Sequence, residues 1–321
     1  MNIVFKSVLK DELASFMEFI KLSVTDYEAY QRTLLKLDSF LYTECLVEKK
    51  IDANLLARWF EGFTVRLSTK KGMLSHIKRL SGYLSTLGIP TSLPELPRNT
   101  ADFNPYVFSK DEMMRIFEAS DDYMLTSPNS RIAAEFPVLL RILYGCGLRL
   151  GEAISLKWDD INLSDGIITV KVAKNQKQRI VPMNEELKRI LNLYRRAPCF
   201  DVQGCGFLFT KSDGQPRSKV AYGNIFRRIL YDLGIRNPQN TKPGSHGPCI
   251  HSLRHTFTLH SLLKAESEGR SFMETVPFLS TYLGHEGLMQ TDKYLKARHE
   301  LYTEAHTVIA DYTRGVFPQE V

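Results

Sequence analysis

Through the first ninety residues, apolar side chains recur at spacings of three and four, the period of a helix with one buried face. Tyr27, Tyr30, Leu34, Leu37 and Leu41 make one such stripe, and Leu55, Leu56, Trp59, Phe60 and Phe63 make a second. A third runs through Met73, Ile77, Leu80 and Leu84, with Thr69 as the expected N-cap and Gly88 as the expected stop. Lys71, Ser75 and Lys78 share a polar stripe on that third helix, and a solvated surface is the simplest account of them.

Both periods vanish over residues 88–105, which hold four prolines. Proline bars helix and stiffens an extended chain, so a linker is expected here. The predicted organisation is a helical domain over residues 1–90, a proline-rich linker over 91–105 and a second domain over 106–321.

The second domain should open at a capping box, Ser109-Lys-Asp-Glu112. A largely apolar helix follows from Arg131 to Tyr144, ending at Gly145 and Gly147, and then a short helix from Gly151 to Trp158. At residues 166–182 the period changes to two. Ile168, Val170 and Val172 alternate with polar positions, a polar turn follows, and Arg179-Ile180-Val181 completes a β-hairpin with lysine at its tip. Helical patterns return at Glu185–Arg196, Val220–Leu233 and His251–Lys264, and again near Thr291. The fold class predicted is mainly α with one small antiparallel β-sheet.

Composition changes this picture little. A 43% hydrophobic and 24% charged chain of 321 residues has the balance of a folded two-domain protein. The net charge of +6 suits a polyanionic partner without demanding one, and no charged tail concentrates it. Five scattered cysteines with no CxxC pair argue against a disulfide framework or a zinc ribbon. Charges arrive too early in MNIVFKSVLKDEL for a signal peptide, and Arg141 interrupts the longest apolar run, so a cytoplasmic protein with no membrane partner is expected.

Four segments place cationic or hydroxyl side chains where folding alone would not ask for them. Arg149 lies in a glycine-rich junction, Tyr144-Gly-Cys-Gly-Leu-Arg149-Leu-Gly-Glu152. An arginine there needs an anion, either Glu152 or a ligand. Lys174 and Lys177 sit at the hairpin tip. In Ile250-His251-Ser-Leu-Arg254-His255-Thr-Phe257, helical spacing puts His251 and Arg254 on one face, and no HExxH glutamate supports zinc. Tyr282-Leu-Gly284-His285 is followed nine residues later by Tyr294.

In this order, these segments resemble the active-site set of the tyrosine recombinase (phage integrase) family: arginine in a GLRxGE box, a hairpin lysine, HxLRHTF, LGH and a tyrosine. The resemblance spans the chain, with the first domain similar to a DNA-binding core-binding domain and residues from about 106 onward similar to the α+β catalytic domain. It implies that Arg149, Lys174, His251, Arg254, His285 and Tyr294 are catalytic. It further implies a metal-independent, cofactor-free DNA strand transferase that holds cleaved DNA through a 3′-phosphotyrosyl bond on Tyr294, as a site-specific recombinase of a mobile element would.

By the same resemblance, Arg149 and Arg254 would neutralise the phosphate, Lys174 would protonate the leaving 5′ oxygen, and His251 and His285 would assist at the phosphate or the tyrosine. The partners implied are double-stranded DNA and further copies of the chain in a tetramer on DNA, with accessory recombination proteins a further expectation. The alternatives are type IB topoisomerase-like relaxation and a catalytically silent DNA-binding accessory protein. Two departures stand out. Lys174 lies between Ala173 and Asn175 where the family places glycines, so Lys177 rivals it. The stretch from Arg254 to His285 is also long, and its extra residues are expected as an exposed loop within Lys264–Phe272. Residues 295–321 form a tail that would dock on a neighbouring protomer or fold back.

Overall fold

The computed structural model describes residues 4–24, 26–97, 105–127, 130–171, 178–196, 206–211, 213–237 and 247–284. Contacts divide the chain into two units, residues 1–102 and 103–321.

The first unit is built from α1 (Lys10–Ile20), α2 (Tyr27–Thr43), α3 (Ala53–Glu61) and α4 (Leu67–Thr86). Helices α2, α3 and α4 bury the stripes their sequence periods predict, and Leu34, Leu37, Leu56, Trp59, Ile77 and Leu80 meet in one core. Asp26 and Asp52 cap α2 and α3 by accepting from Ala29 N–H and Leu55 N–H. The first helix, with Leu13, Phe16, Met17 and Ile20 inward, has no side-chain cap of its own. The chain entering it is held instead by Asp38 of α2, whose carboxylate accepts from Lys6 N–H at 2.8 Å and Ser7 N–H at 2.9 Å.

Helix α4 corrects the expected start at Thr69. It begins at Leu67 with Arg66 at the N-cap and no side-chain cap, so no local signal marks its first turn. Gly88 does end the segment, in the left-handed region at φ 73°.

The second unit opens with the capping box in full. Ser109 Oγ accepts from Glu112 N–H, and the Glu112 carboxylate accepts from Ser109 N–H. Helix α5 (Lys110–Thr126) packs on α6 (Arg131–Cys146), the central helix of the core. Then come α7 (Leu150–Ile154) and a single 3₁₀ turn at Trp158–Asp160, where the sequence pattern predicts one longer helix. Strands β1 (Ile161–Asn162), β2 (Ile167–Lys171) and β3 (Gln178–Pro182) form an antiparallel sheet in that order. The short β1 has no counterpart in the sequence pattern, because two residues carry no legible alternation. Helices α8 (Glu185–Arg195), α9 (Lys219–Asp232), α10 (Ser252–Ser267) and α11 (Phe272–Leu283) follow among the described residues.

Helix α10 continues past Lys264 to Ser267, and α11 opens at Phe272, so of the stretch expected as an exposed loop only residues 268–271 are an exposed turn. The unexpected α11 carries Pro277 in its interior, where a sequence pattern predicts a break. Val172, the hairpin tip and the helix expected near Thr291 lie outside the described residues. Among the described residues, no helix is long and apolar enough to cross a membrane.

Candidate active site

The glycine-rich junction after α6 is shaped by Gly147, at φ 61°. A Cβ there would stand 2.3 Å from the Phe257 ring of α10, so both the backbone angle and the close approach require glycine. Helix α10 is thereby seated directly on the junction. One turn ahead of Phe257, Arg254 is only 2% exposed and reaches two carbonyls from distant segments. Its Nη1 donates to Gly147 O at 2.8 Å and its Nη2 to Leu283 O at 2.7 Å.

Arg149 takes the N-cap position of α7. Its backbone N–H donates to Glu152 Oε2 at 2.8 Å, and its Nη1 donates to Glu152 Oε1 at 2.9 Å. The Glu152 partnership suggested by the sequence is therefore present, but it is not exclusive. Arg179 of β3 donates Nη1 to Oε1 at 3.1 Å and Nη2 to Oε2 at 2.7 Å, a fork onto both oxygens. The Nη1 of Arg254 lies 3.8 Å from Oε2. Three guanidinium groups thus share one carboxylate. Burial pushes the Glu152 carboxyl up, but hydrogen bonds from Arg179 and the Arg149 backbone, with the charges of both arginines, hold it below the usual value. Glu152 is a fixed anion.

Helix α11 closes the site with its C-terminus. Its last carbonyls would be orphans, and cations are favoured beside them. Leu283 O receives Arg254, and Gly284 O receives Arg149 Nη2 at 3.4 Å. Gly284 is left-handed at φ 67°, and a Cβ on it would meet Arg179 Nη1 at 3.3 Å. The Tyr282 hydroxyl donates to Cys146 O at 3.2 Å and its ring stacks on Phe257, which fastens α11 to the junction. On the other side, a Cβ on Gly151 would stand 2.9 Å from Lys219 Nζ, so that cation from α9 lies against the same box.

Of the six residues singled out by sequence, Arg149 and Arg254 come together around Glu152. His251 occupies the N-cap position of α10 without a side-chain capping bond, one turn ahead of Arg254, exposed and with its ring 4.8 Å from that of His255. Lys174 and its rival Lys177, His285 and Tyr294 lie outside the described residues; Gly284 immediately precedes His285 in the chain.

Arg179 is the residue that sequence reasoning missed. Its signal was strand parity. Register pairs Ile168 with Val181 and Val170 with Arg179, so Arg179 points inward with three buried apolar positions, while Ile180 turns outward at 65% exposed.

The sequence profile of the phage integrase family matches residues 107–300. A protein named as a candidate integrase/recombinase, y4rB of Sinorhizobium fredii, is 28% identical over 239 residues, covering 72% of this chain and 75% of that protein. Tyrosine recombinase XerC of Chlorobaculum tepidum is 32% identical over 232 residues, covering 66% of this chain and 63% of XerC. Among solved structures, XerH site-specific recombinase bound to palindromic difH substrate, a post-cleavage complex, is similar in fold. Its TM-score is 0.67 at 20% identity, covering 92% of this chain and 83% of XerH.

Proposed function

This chain belongs to the phage integrase family of tyrosine recombinases, and we propose that it cuts and rejoins duplex DNA through a 3′-phosphotyrosyl intermediate on Tyr294. The observation that carries the reading is the meeting of Arg149 and Arg254, far apart in sequence, at one ionised carboxylate. A phosphodiester repels nucleophiles, and the attacked phosphorus gathers further negative charge on its nonbridging oxygens. Preorganised guanidinium groups stabilise that charge without reorganising when it forms. Guanidinium cannot lose its proton, so this positive charge persists at any working pH.

In the proposed step the Tyr294 oxygen attacks phosphorus and the bond from phosphorus to the 5′ oxygen breaks. The tyrosine proton leaves to His251 or water, and Lys174 donates a proton to the departing 5′ oxygen. One phosphoester replaces another, so a 5′ hydroxyl can reverse the step, and a hydroxyl from a second duplex completes strand exchange. His285 supplies a further donor to the phosphate. A mobile-element integrase is the role we favour, acting on duplex DNA as a homo-oligomer, with a tetramer the family expectation.

The first unit would grip DNA as the core-binding domain, joined by residues 91–105 to the catalytic domain. Helix α4 supports this, since no acidic residue occurs between Leu67 and Thr86 while Lys70, Lys71, Lys78 and Arg79 do. Lys71 and Lys78 would contact phosphates, fixing position rather than reading sequence.

The test works without a known target site. Wild-type protein is incubated with a randomised library of nicked duplexes, and covalent protein–DNA adducts are isolated on a denaturing gel and sequenced. The expected outcome is a shifted band enriched in one sequence and abolished by Tyr294→Phe; no band from any duplex sinks the phosphotyrosyl reading and leaves the accessory-protein alternative. Relaxation of a plasmid lacking the enriched site, with no strand exchange, would instead favour the topoisomerase alternative. With the enriched duplex, Lys174→Ala should be slow on ordinary DNA and recover on a 5′-bridging phosphorothiolate, because sulfur leaves without a proton. Recovery seen with Lys177→Ala instead moves the acid role to Lys177.

A further inference from the structure

We infer that Arg179 is a positioning residue for DNA cleavage: clamped on both oxygens of Glu152, it fixes the carboxylate that orients Arg149 and ties the β-sheet to the arginine box. The inference rests on the phosphotyrosyl reading and assigns a new role within that site.

Three observations carry it. First, the Arg149–Glu152 pair is too loose to define itself. Arg149 is 39% exposed, and a half-exposed pair three residues apart is a weak constraint. The Arg179–Glu152 pair has both partners nearly buried, at 12% and 11% exposed, and its two parallel bonds set the plane of the carboxylate. Second, Arg179 fills the space beside Gly284, whose carbonyl receives Arg149 and whose neighbour Leu283 receives Arg254. One guanidinium therefore abuts β3, α7 and the end of α11 together.

Third, stability alone would not choose arginine here. The position faces inward beside buried Val170 and Val181, and Arg179 Nε is buried with no hydrogen-bond partner among the described residues. A valine would avoid that desolvated donor. The expense is explained if the carboxylate it holds must stay in place.

Among the described residues, the charged groups facing Glu152 are Arg149 at the start of its own helix, Arg179 from β3 and Arg254 from α10, with Lys219 of α9 against neighbouring Gly151. Arg179 heads the influences that lower the Glu152 carboxyl against its burial. Without it, Glu152 should take up a proton at higher pH and release Arg149.

The experiment uses the full chain and the duplex recovered from the nicked library. Affinity is read by gel shift, and the rate of adduct formation at saturating DNA is read from pH 5 to 8, for wild type, Arg179→Met, Arg179→Lys, Glu152→Gln and the Met/Gln double variant. Arg179→Met should bind DNA with nearly unchanged affinity yet form adduct roughly 10–100-fold more slowly, since displacements of about 1 Å cost up to about 10²-fold. Its acid limb should move to higher pH, a signature that mere loosening of the fold would not give. Arg179→Lys should recover part of the rate. The double variant should be no slower than the slower single variant, because both changes break one link.

A folded Arg179→Met protein with wild-type rate and pH profile overturns the inference, as do losses that multiply in the double variant. If Arg179→Met does not fold, Arg179→Gln, which keeps a donor without the charge, carries the same comparison, and a wild-type rate there is equally decisive. Failure of the wild-type protein to form any adduct is a different result: it removes the phosphotyrosyl reading and this inference with it. A normal variant beside an active wild type removes only the role of Arg179.

Discussion

Among the described residues of the second unit, Glu135 and Glu152 are two largely buried carboxylates bridged by arginine, and they are built for different purposes. Glu135 on α6 is fully buried and accepts from Arg217 Nε at 3.0 Å, the Tyr222 hydroxyl at 2.6 Å and Thr210 N–H at 3.0 Å. Its partners fasten the chain before α9 and α9 itself onto α6, and a single guanidinium balances a single carboxylate. Burial outweighs those donors and pushes the Glu135 carboxyl up. Glu152 is surrounded by arginines from three elements, and the hydrogen bonds and charges of two of them, Arg179 and Arg149, overcome burial to hold its carboxyl down. One site satisfies its charges within the fold; the other gathers cations beyond what one carboxylate needs. That surplus of positive charge is what a phosphate site requires.

The sharpest way to break the comparison is to remove one arginine from each. Arg217→Met leaves Glu135 buried without its cation and should cost about 3–5 kcal/mol of stability, read by denaturant unfolding, with the adduct rate of folded protein preserved. Arg254→Ala should do the reverse at the level of chemistry, lowering adduct formation by about 10²–10³-fold at the preserved enriched site. If both variants lose stability equally and neither loses rate beyond that, the distinction fails.

Next in size is Gly147→Ala. The left-handed angle costs roughly 1–2 kcal/mol and overlap with Phe257 about 1–3 kcal/mol more, so the thermal midpoint should fall and adduct formation with it. An unchanged midpoint would mean that α10 does not sit on the junction.

The smallest effect carries the most informative sign. The Glu152 carboxyl lies below its ordinary value of 4.5, so its stabilisation is present above pH 4.5 and is lost as pH falls through the lowered value. The Glu135 carboxyl lies above 4.5, so its contribution is complete below pH 4.5 and declines as pH rises through the raised value. Unfolding measured from pH 3.5 to 7 for wild type, Glu152→Gln and Glu135→Gln should therefore give wild-type-minus-variant differences of opposite slope. Slopes of the same sign would place both carboxylates in one class.

Much of this was legible in the chain. Periods of three and four located the stripes of α2, α3 and α4, the Ser109–Glu112 box located the start of α5, and alternation at Ile168 and Val170 located the hairpin. These are signals between residues within a turn or two of each other, where backbone geometry alone decides which side chains share a face. Where the deciding partner was remote, the signal was silent. The start of α1 depends on Asp38 of α2, and α4 begins without a side-chain cap, so its first residue has no local mark.

The site divides in the same way. The sequence by itself determined which residue types were present and in what order, enough to single out Arg149 and Arg254 and to suggest Glu152 as a partner. Only the tertiary structure brought Arg179 to that carboxylate, put Phe257 where a side chain on Gly147 would go, and turned the last carbonyls of α11 toward the two arginines. Each of those contacts joins elements tens to more than a hundred residues apart. Packing of whole helices and strand register set such distances, and no spacing along the chain encodes them.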